Sequence, residues 1–418
     1  MRLLRRGVLA SYRSDAPVKL RSTLMTALIA TAASTALTSA ALTPAALAMA
    51  RTPRFETPKV ANTGQAPSLS LAVSDTGVAG AAVIGKRNSL WYFASSGGSW
   101  RRTEVAPADS AFGGPSLFIT AAPQAEIAVQ GGSHTLVLYV QSHGHWRHTQ
   151  IADRNHAYSA PSLYVGPSGP GIAVQGPGHT LWYYWAAKGH WQKNEVAGSG
   201  TDYSAASLVI RSASQTEGSD HAGQADIAVQ GAAHTLTFYR SQASGHWKVT
   251  PVAGPNRAYS APSLIVGYDA LQGQANIAVQ GPGHSLLFHA DVVGSRPGLP
   301  VTLDTGDVFS APSMTQNGED IPGQYEIAFQ GLAPHSVTFL YYNPAGAGSF
   351  VNDVITGANG QVNSAPSLFA RTIPTGEYDL IFQGRNNTLF YYHALRPTSG
   401  GPVFAGAKIG AAGTTFGG

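Results

Sequence analysis

The chain has 418 residues, 26 Lys+Arg against 22 Asp+Glu, and no cysteine. The missing Cys excludes disulfides, thiolate metal sites and cysteine nucleophiles. Charged residues make only 11% of the chain while Gly (48) and Pro (26) are abundant, which argues against nucleic acid and for many short strands rather than helices.

The first fifty residues read as an address. Arg2, Arg5, Arg6, Arg13, Lys19 and Arg21 stand against a single Asp15, and residues 22–49 hold no charge. Residues 24–42 are apolar, and two small-x-small patterns follow, Ala46-Leu47-Ala48 and Ala48-Met49-Ala50. Basic, apolar and small-residue regions in that order make a secretory signal peptide. A retained membrane anchor is the alternative, because the apolar run is about long enough to span a bilayer. Its Ala and Thr content and Pro44 make it a weak span. Arg5-Arg6 lies well upstream of the apolar run, a poor fit to the twin-arginine route. The expectation is that 1–50 is removed and that 51–418 is secreted, free of the membrane. Those remaining residues carry 20 Lys+Arg and 21 Asp+Glu, a net charge of −1. The basic balance therefore belongs to the signal.

The rest of the chain repeats. Ser-Ala-Pro-Ser-Leu or a near copy recurs with its third residue at Pro67, Pro115, Pro161, Ala206, Pro262, Pro312 and Pro366. Ile-Ala-Val-Gln-Gly follows at 127–131, 172–176, 227–231 and 277–281, with variants at 81–85, 327–331 and 380–384. Next come a turn and an aromatic segment such as Leu181-Trp182-Tyr183-Tyr184. A fourth run closes the unit, as in Gly189-His190-Trp191 through Val196-Ala197. Four short segments per unit of about fifty residues, broken by Gly and Pro, are four strands of a propeller blade. The fold class is all-β, a seven-bladed β-propeller of four-stranded antiparallel blades over 51–418. In the second strand, alternation puts Ile127 and Val129 on one face and Ala128 and Gln130 on the other. Two terminal segments, 54–61 and 403–409, both look like a fourth strand for the slot that closes the ring.

A strand ending in Gln-Gly, a short turn, His or Asn, Leu, aromatics, Gly-x-Trp, Val-Ala and then Ser-Ala-Pro resembles the repeat of bacterial seven-bladed propeller lectins, the fucose-binding type. The resemblance covers 67–418 and implies several glycan sites between blades. The sequence departs from that pattern in two ways: His replaces the turn Asn in five of seven units, and a paired Trp after the aromatic strand is missing. Neither sugar specificity nor any binding residue carries over.

The candidate ligand-binding residues come from the repeat itself. His134, His179, His234, His284 and His335 end the turn between the second and third strands, with Asn88 and Asn387 at the same place in units one and seven. They serve either left-handed backbone geometry, which Asn and His tolerate, or polar contact on one rim. The connection after the fourth strand brings Asn155, Tyr158, Tyr203, Asn256, Arg257 and Tyr259 to the same rim; Phe309 replaces Tyr in a later copy. Such a mix suits sugars, an aromatic face covering C–H groups while polar groups meet hydroxyls. The other reading is a Tyr wedged between blades. Trp100, Trp146, Trp191 and Trp247 share one position, with Phe350 and Phe404 as counterparts, and read as packing between blades. The repeated glutamines read as ties between blades. Glu126, Asp226, Glu326 and Asp379 recur at one strand position, and repetition argues against a catalytic pair. No hydrolase, phosphate-loop or metal motif is present. The expected function is a non-catalytic lectin for neutral glycans, with no cofactor and no metal. The alternatives are a propeller glycoside hydrolase or polysaccharide lyase, and a structural or protein-binding propeller.

Overall fold

The computed structural model describes residues 69–415, except 75, 121–123, 212–222, 268–272, 294–299, 317–324, 333–335, 344–348, 356–361, 372–376 and 396–402. The expected signal peptide, the 54–61 segment and His335 lie outside the described residues.

Seven four-stranded antiparallel sheets span 69–106, 112–152, 162–197, 207–253, 263–304, 313–355 and 367–410. Strand order in every blade is sequential from first to fourth, so each blade is a meander. The second strand is its core. In Ala125–Gln130 and its counterparts in blades 4, 5 and 6 all six residues are buried, and each Ile or Val there contributes roughly 1.5–3 kcal/mol. Ile127 and Val129 pack with Leu90, Tyr92 and Ala106 of blade 1. Ala128, on the opposite face, packs with Leu163, Ile172 and Val174 of blade 3. One residue pattern thus serves two interfaces, because a strand's side chains alternate between faces.

Among the described residues the ring closes without strand exchange. The fourth strand of blade 7 is Val403–Gly410. Leu69, Leu71, Val83 and Phe93 of blade 1 pack with Ile381 and Leu389 of blade 7. Trp100 meets Tyr391 edge-on at 4.8 Å, as Trp146 meets Tyr92 at 5.3 Å and Trp247 meets Tyr183 at 5.6 Å. The repeated Trp is therefore inter-blade core, as its repetition suggested. In this strand Gly406 pairs with Tyr392. The Tyr392 ring lies so close that an added Cβ would stand 2.2 Å from it.

A ring of serines runs around the central channel. Oγ of Ser70, Ser116, Ser162, Ser207, Ser263, Ser313 and Ser367 each accepts a backbone N–H from the next blade, at 2.9–3.1 Å. The last of these, from Leu71 to Ser367, crosses the seam between blades 1 and 7. The channel these residues line holds about 170 Å³ and is walled by Ala, Pro and Ser.

Candidate functional site

The turn after the second strand is two residues tight in every blade but the sixth, where Gly331 N–H reaches Ser336 O one residue further on. In Gly132–Thr135 the central residues Ser133 (φ 57°) and His134 (φ 60°) are both left-handed, as a type I′ turn requires. His179, His234, His284, Asn88 and Asn387 have φ between 57° and 62°. Asn and His interchange here because both tolerate this backbone, so the conformational reading holds. It is not the whole role of the histidines.

The loop from the fourth strand returns to that turn. The N–H groups of His156 and Ala157 both donate to the His134 carbonyl, and the Tyr158 N–H donates to Gln175 O of the next blade at 2.8 Å. Thr201, Asp202 and Tyr203 repeat this on His179 and Gln230, and Arg257, Ala258 and Tyr259 on His234 and Gln280. The loop is thereby fixed across two blades, and its aromatic ring is laid on the turn imidazole. His134 and Tyr158 stack at 4.2 Å, His179 and Tyr203 at 4.0 Å, His234 and Tyr259 at 4.3 Å, and His284 and Phe309 at 4.4 Å, with interplanar angles of 13–20°.

Beneath each stack lies the glutamine. Gln230 Nε2 donates to Ala258 O at 2.7 Å and to His234 Nδ1 at 2.8 Å. Nδ1 of His134, His179 and His284 also lies 3.1–3.2 Å from the Ala157, Asp202 or Val308 carbonyl. Gln175 and Gln280 repeat the arrangement with His179 and His284, at 3.3 and 3.1 Å. Gln130 reaches His134 Nδ1 at 2.6 Å. Gln175, Gln230, Gln280 and Gln330 thus tie their blades to the loop that enters the next, and the first three also orient the imidazoles.

Exposure grades the stacks. Tyr158 and Tyr203 are 39% and 44% exposed, whereas Tyr259 and Phe309 are half-buried. His134, His179 and His234 are exposed and His284 half-buried. Asn155 and Asn256 are exposed and left-handed (φ 62° and 59°), so they serve the loop's turn. Asn155 Oδ1 also accepts from the Tyr158 hydroxyl at 3.4 Å. Arg257 is exposed. Sequence reasoning missed Phe112, which pairs with Gln130 at the Tyr158 position one blade earlier. The Ala-Phe-Gly-Gly-Pro run after the first Val-Ala was the available signal.

The recurring carboxylates sit elsewhere on the second strand; the Glu126 carboxyl is buried and raised by burial, and the other three are paired. Asp226 is buried between Arg211 (2.6 Å) and Arg240 (2.8 Å). Asp379 accepts from Arg371, His393 and the Tyr391 hydroxyl. Burial alone would raise the Asp379 carboxyl; the His393, Arg371 and Tyr391 hydrogen bonds outweigh it and hold it below its ordinary value. Tyr378 donates to Glu326 at 2.8 Å across the blade 6–7 interface. Among the described residues no three His, Asp or Glu side chains are grouped to hold a metal.

The fold defines the class as a seven-bladed β-propeller with four-stranded blades. Among solved structures the chain is similar to the BP39L lectin from Burkholderia pseudomallei, with a TM-score of 0.68, 14% identity, and 82% of this chain and 99% of that one covered. Lower similarity extends to AofleA from Arthrobotrys oligospora (TM-score 0.48, 14% identity, 72% and 87% covered). It extends also to a variant of the Aleuria aurantia lectin in complex with Fucα1-6GlcNAc (0.47, 13%, 72% and 97%). At these identities the likeness is one of fold. No family model matches the sequence, and no curated protein matches it.

Proposed function

We propose that the protein is a secreted, non-catalytic, multivalent glycan-binding propeller. The observation that carries this reading is the fourfold stack of a turn imidazole and a loop aromatic on one rim. An exposed aromatic edge and face cover the C–H side of a sugar. The imidazole Nε2 and the Tyr hydroxyl meet its hydroxyls, and no metal is needed. Each site is small and weak alone, and several on one rigid ring gain avidity on a surface that displays many copies of a glycan. Export is supported by the basic, apolar and small-residue order of residues 1–50. The fold likeness to a lectin agrees with the reading.

A glycan array tests it. The wild-type protein is expected to bind a defined glycan set, and His179→Ala with Tyr203→Ala to weaken that binding severalfold with the fold intact. Absence of binding across a broad array overturns the reading. Unchanged binding by the double variant moves the site away from this rim.

A further inference from the structure

The residue two places before each stacked aromatic differs from blade to blade: His156, Thr201, Arg257 and Asp307. The frame around it is the same in the first three. The N–H groups of His156, Thr201 and Arg257 each donate to the carbonyl of the stacked histidine at 2.9 Å. The next N–H, of Ala157, Asp202, Ala258 or Val308, donates to the same carbonyl at 2.8–2.9 Å. That next residue is buried in every copy. One backbone frame therefore presents imidazole, hydroxyl and guanidinium beside an almost constant pair of rings, and the Asp307 carboxylate stands at the same place in a copy that keeps the second of the two bonds.

We infer that this position sets the ligand class at each stack, and that the His234–Tyr259 stack with Arg257 takes an anionic sugar, one carrying a carboxylate or sulfate. The inference rests on the glycan-binding reading above. Arg257 is exposed and makes no ion pair among the described residues. A guanidinium fork matches a carboxylate or sulfate in geometry and charge. The Thr201 hydroxyl donates to Gly198 O at 2.6 Å, so the His179–Tyr203 stack presents no charge there and suits neutral sugars. The His284–Phe309 stack has the opposite sign. Asp307 stands beside Asp304, whose carboxyl is raised by burial and further by the Asp307 charge. Two carboxylates there repel an anionic ligand. The sequence without residues 1–50 is close to neutral, so anion preference at one stack is local rather than a property of the whole surface.

The test is an array of glycans in matched neutral, uronate-bearing and sulfate-bearing forms, read with wild type, Arg257→Gln and Tyr259→Ala. The wild type is expected to hold some anionic forms at least tenfold tighter than their neutral partners, and less so as salt is raised. Arg257→Gln should abolish that preference, and thermal unfolding at the wild-type temperature shows that the variant is folded. Tyr259→Ala should weaken the same anionic set. The uronate and sulfate arms show which anion is taken. Neutral binding with no anionic preference, or a preference that survives Arg257→Gln, overturns the inference and leaves the lectin reading standing. No binding of any form by the wild type overturns both.

Discussion

His289 makes the stability of this propeller depend on pH in a calculable way. It lies on the third strand of blade 5, where other blades place Phe93, Tyr139, Tyr184, Tyr239, Leu340 and Tyr392. It is 2% exposed, and its Nε2 meets no hydrogen-bond partner. Burial pushes the imidazole down from 6.5 to about 4. The folded protein keeps the ring neutral, while the unfolded chain takes up a proton near pH 6.5. Between those values the unfolded state binds more protons, so stability rises with pH. The His289 contribution is complete above pH 6.5 and is lost as pH falls toward 4. At about 1.36 kcal/mol per pH unit, the loss is about 3 kcal/mol. Urea unfolding of wild type and His289→Leu between pH 4 and 7.5 measures it, since carboxylates titrate alike in both and cancel in the difference. The wild type should lose about 3 kcal/mol more than the variant on acidification. Parallel pH profiles would refute the reasoning.

His393 should behave with the opposite sign. The Asp379 hydrogen bond raises its imidazole, against a smaller opposing effect of burial, so its contribution is complete below pH 6.5 and fades as pH rises through the raised value. His393→Gln should therefore lose stability against wild type mainly at pH 6, with the gap closing toward pH 9; a gap independent of pH refutes this. Trp100→Ala removes a half-buried indole from the seam between the first and last blades, and should cost about 2 kcal/mol by thermal unfolding. The equivalent Trp247→Ala inside the ring should cost a similar amount. A Trp100 effect near zero would mean that the seam is not held as the other interfaces are.

Most of the fold was legible because the repeat is strict. Gln-Gly at the end of one strand, Gly-x-Trp at the start of another and Ser-Ala-Pro before the next blade mark strand count and order without ambiguity. Ring closure was not legible, since 54–61 and 403–409 share the same fourth-strand pattern. Only the pairing of 403–410 with the third strand of blade 7 places the second in the slot, a tertiary fact with no local signature. The site was half legible. Strand alternation placed His134 and Tyr158 on one rim, yet they are separated in sequence by a whole hairpin and a loop. Their stacking depends on the Tyr158 N–H reaching Gln175 of the next blade. The serine ring was missed for the same reason. Each Ser-to-backbone bond joins residues 46–57 apart, or 296 apart at the seam, and a repeated Ser is not distinctive by itself.

Calorimetric titration of the purified protein with a glycan chosen from the array tests the central claim most directly. The account predicts more than one site per chain, weak and of similar affinity, with the number falling by one when Tyr203 is replaced by Ala. A single tight site, or none, would contradict it.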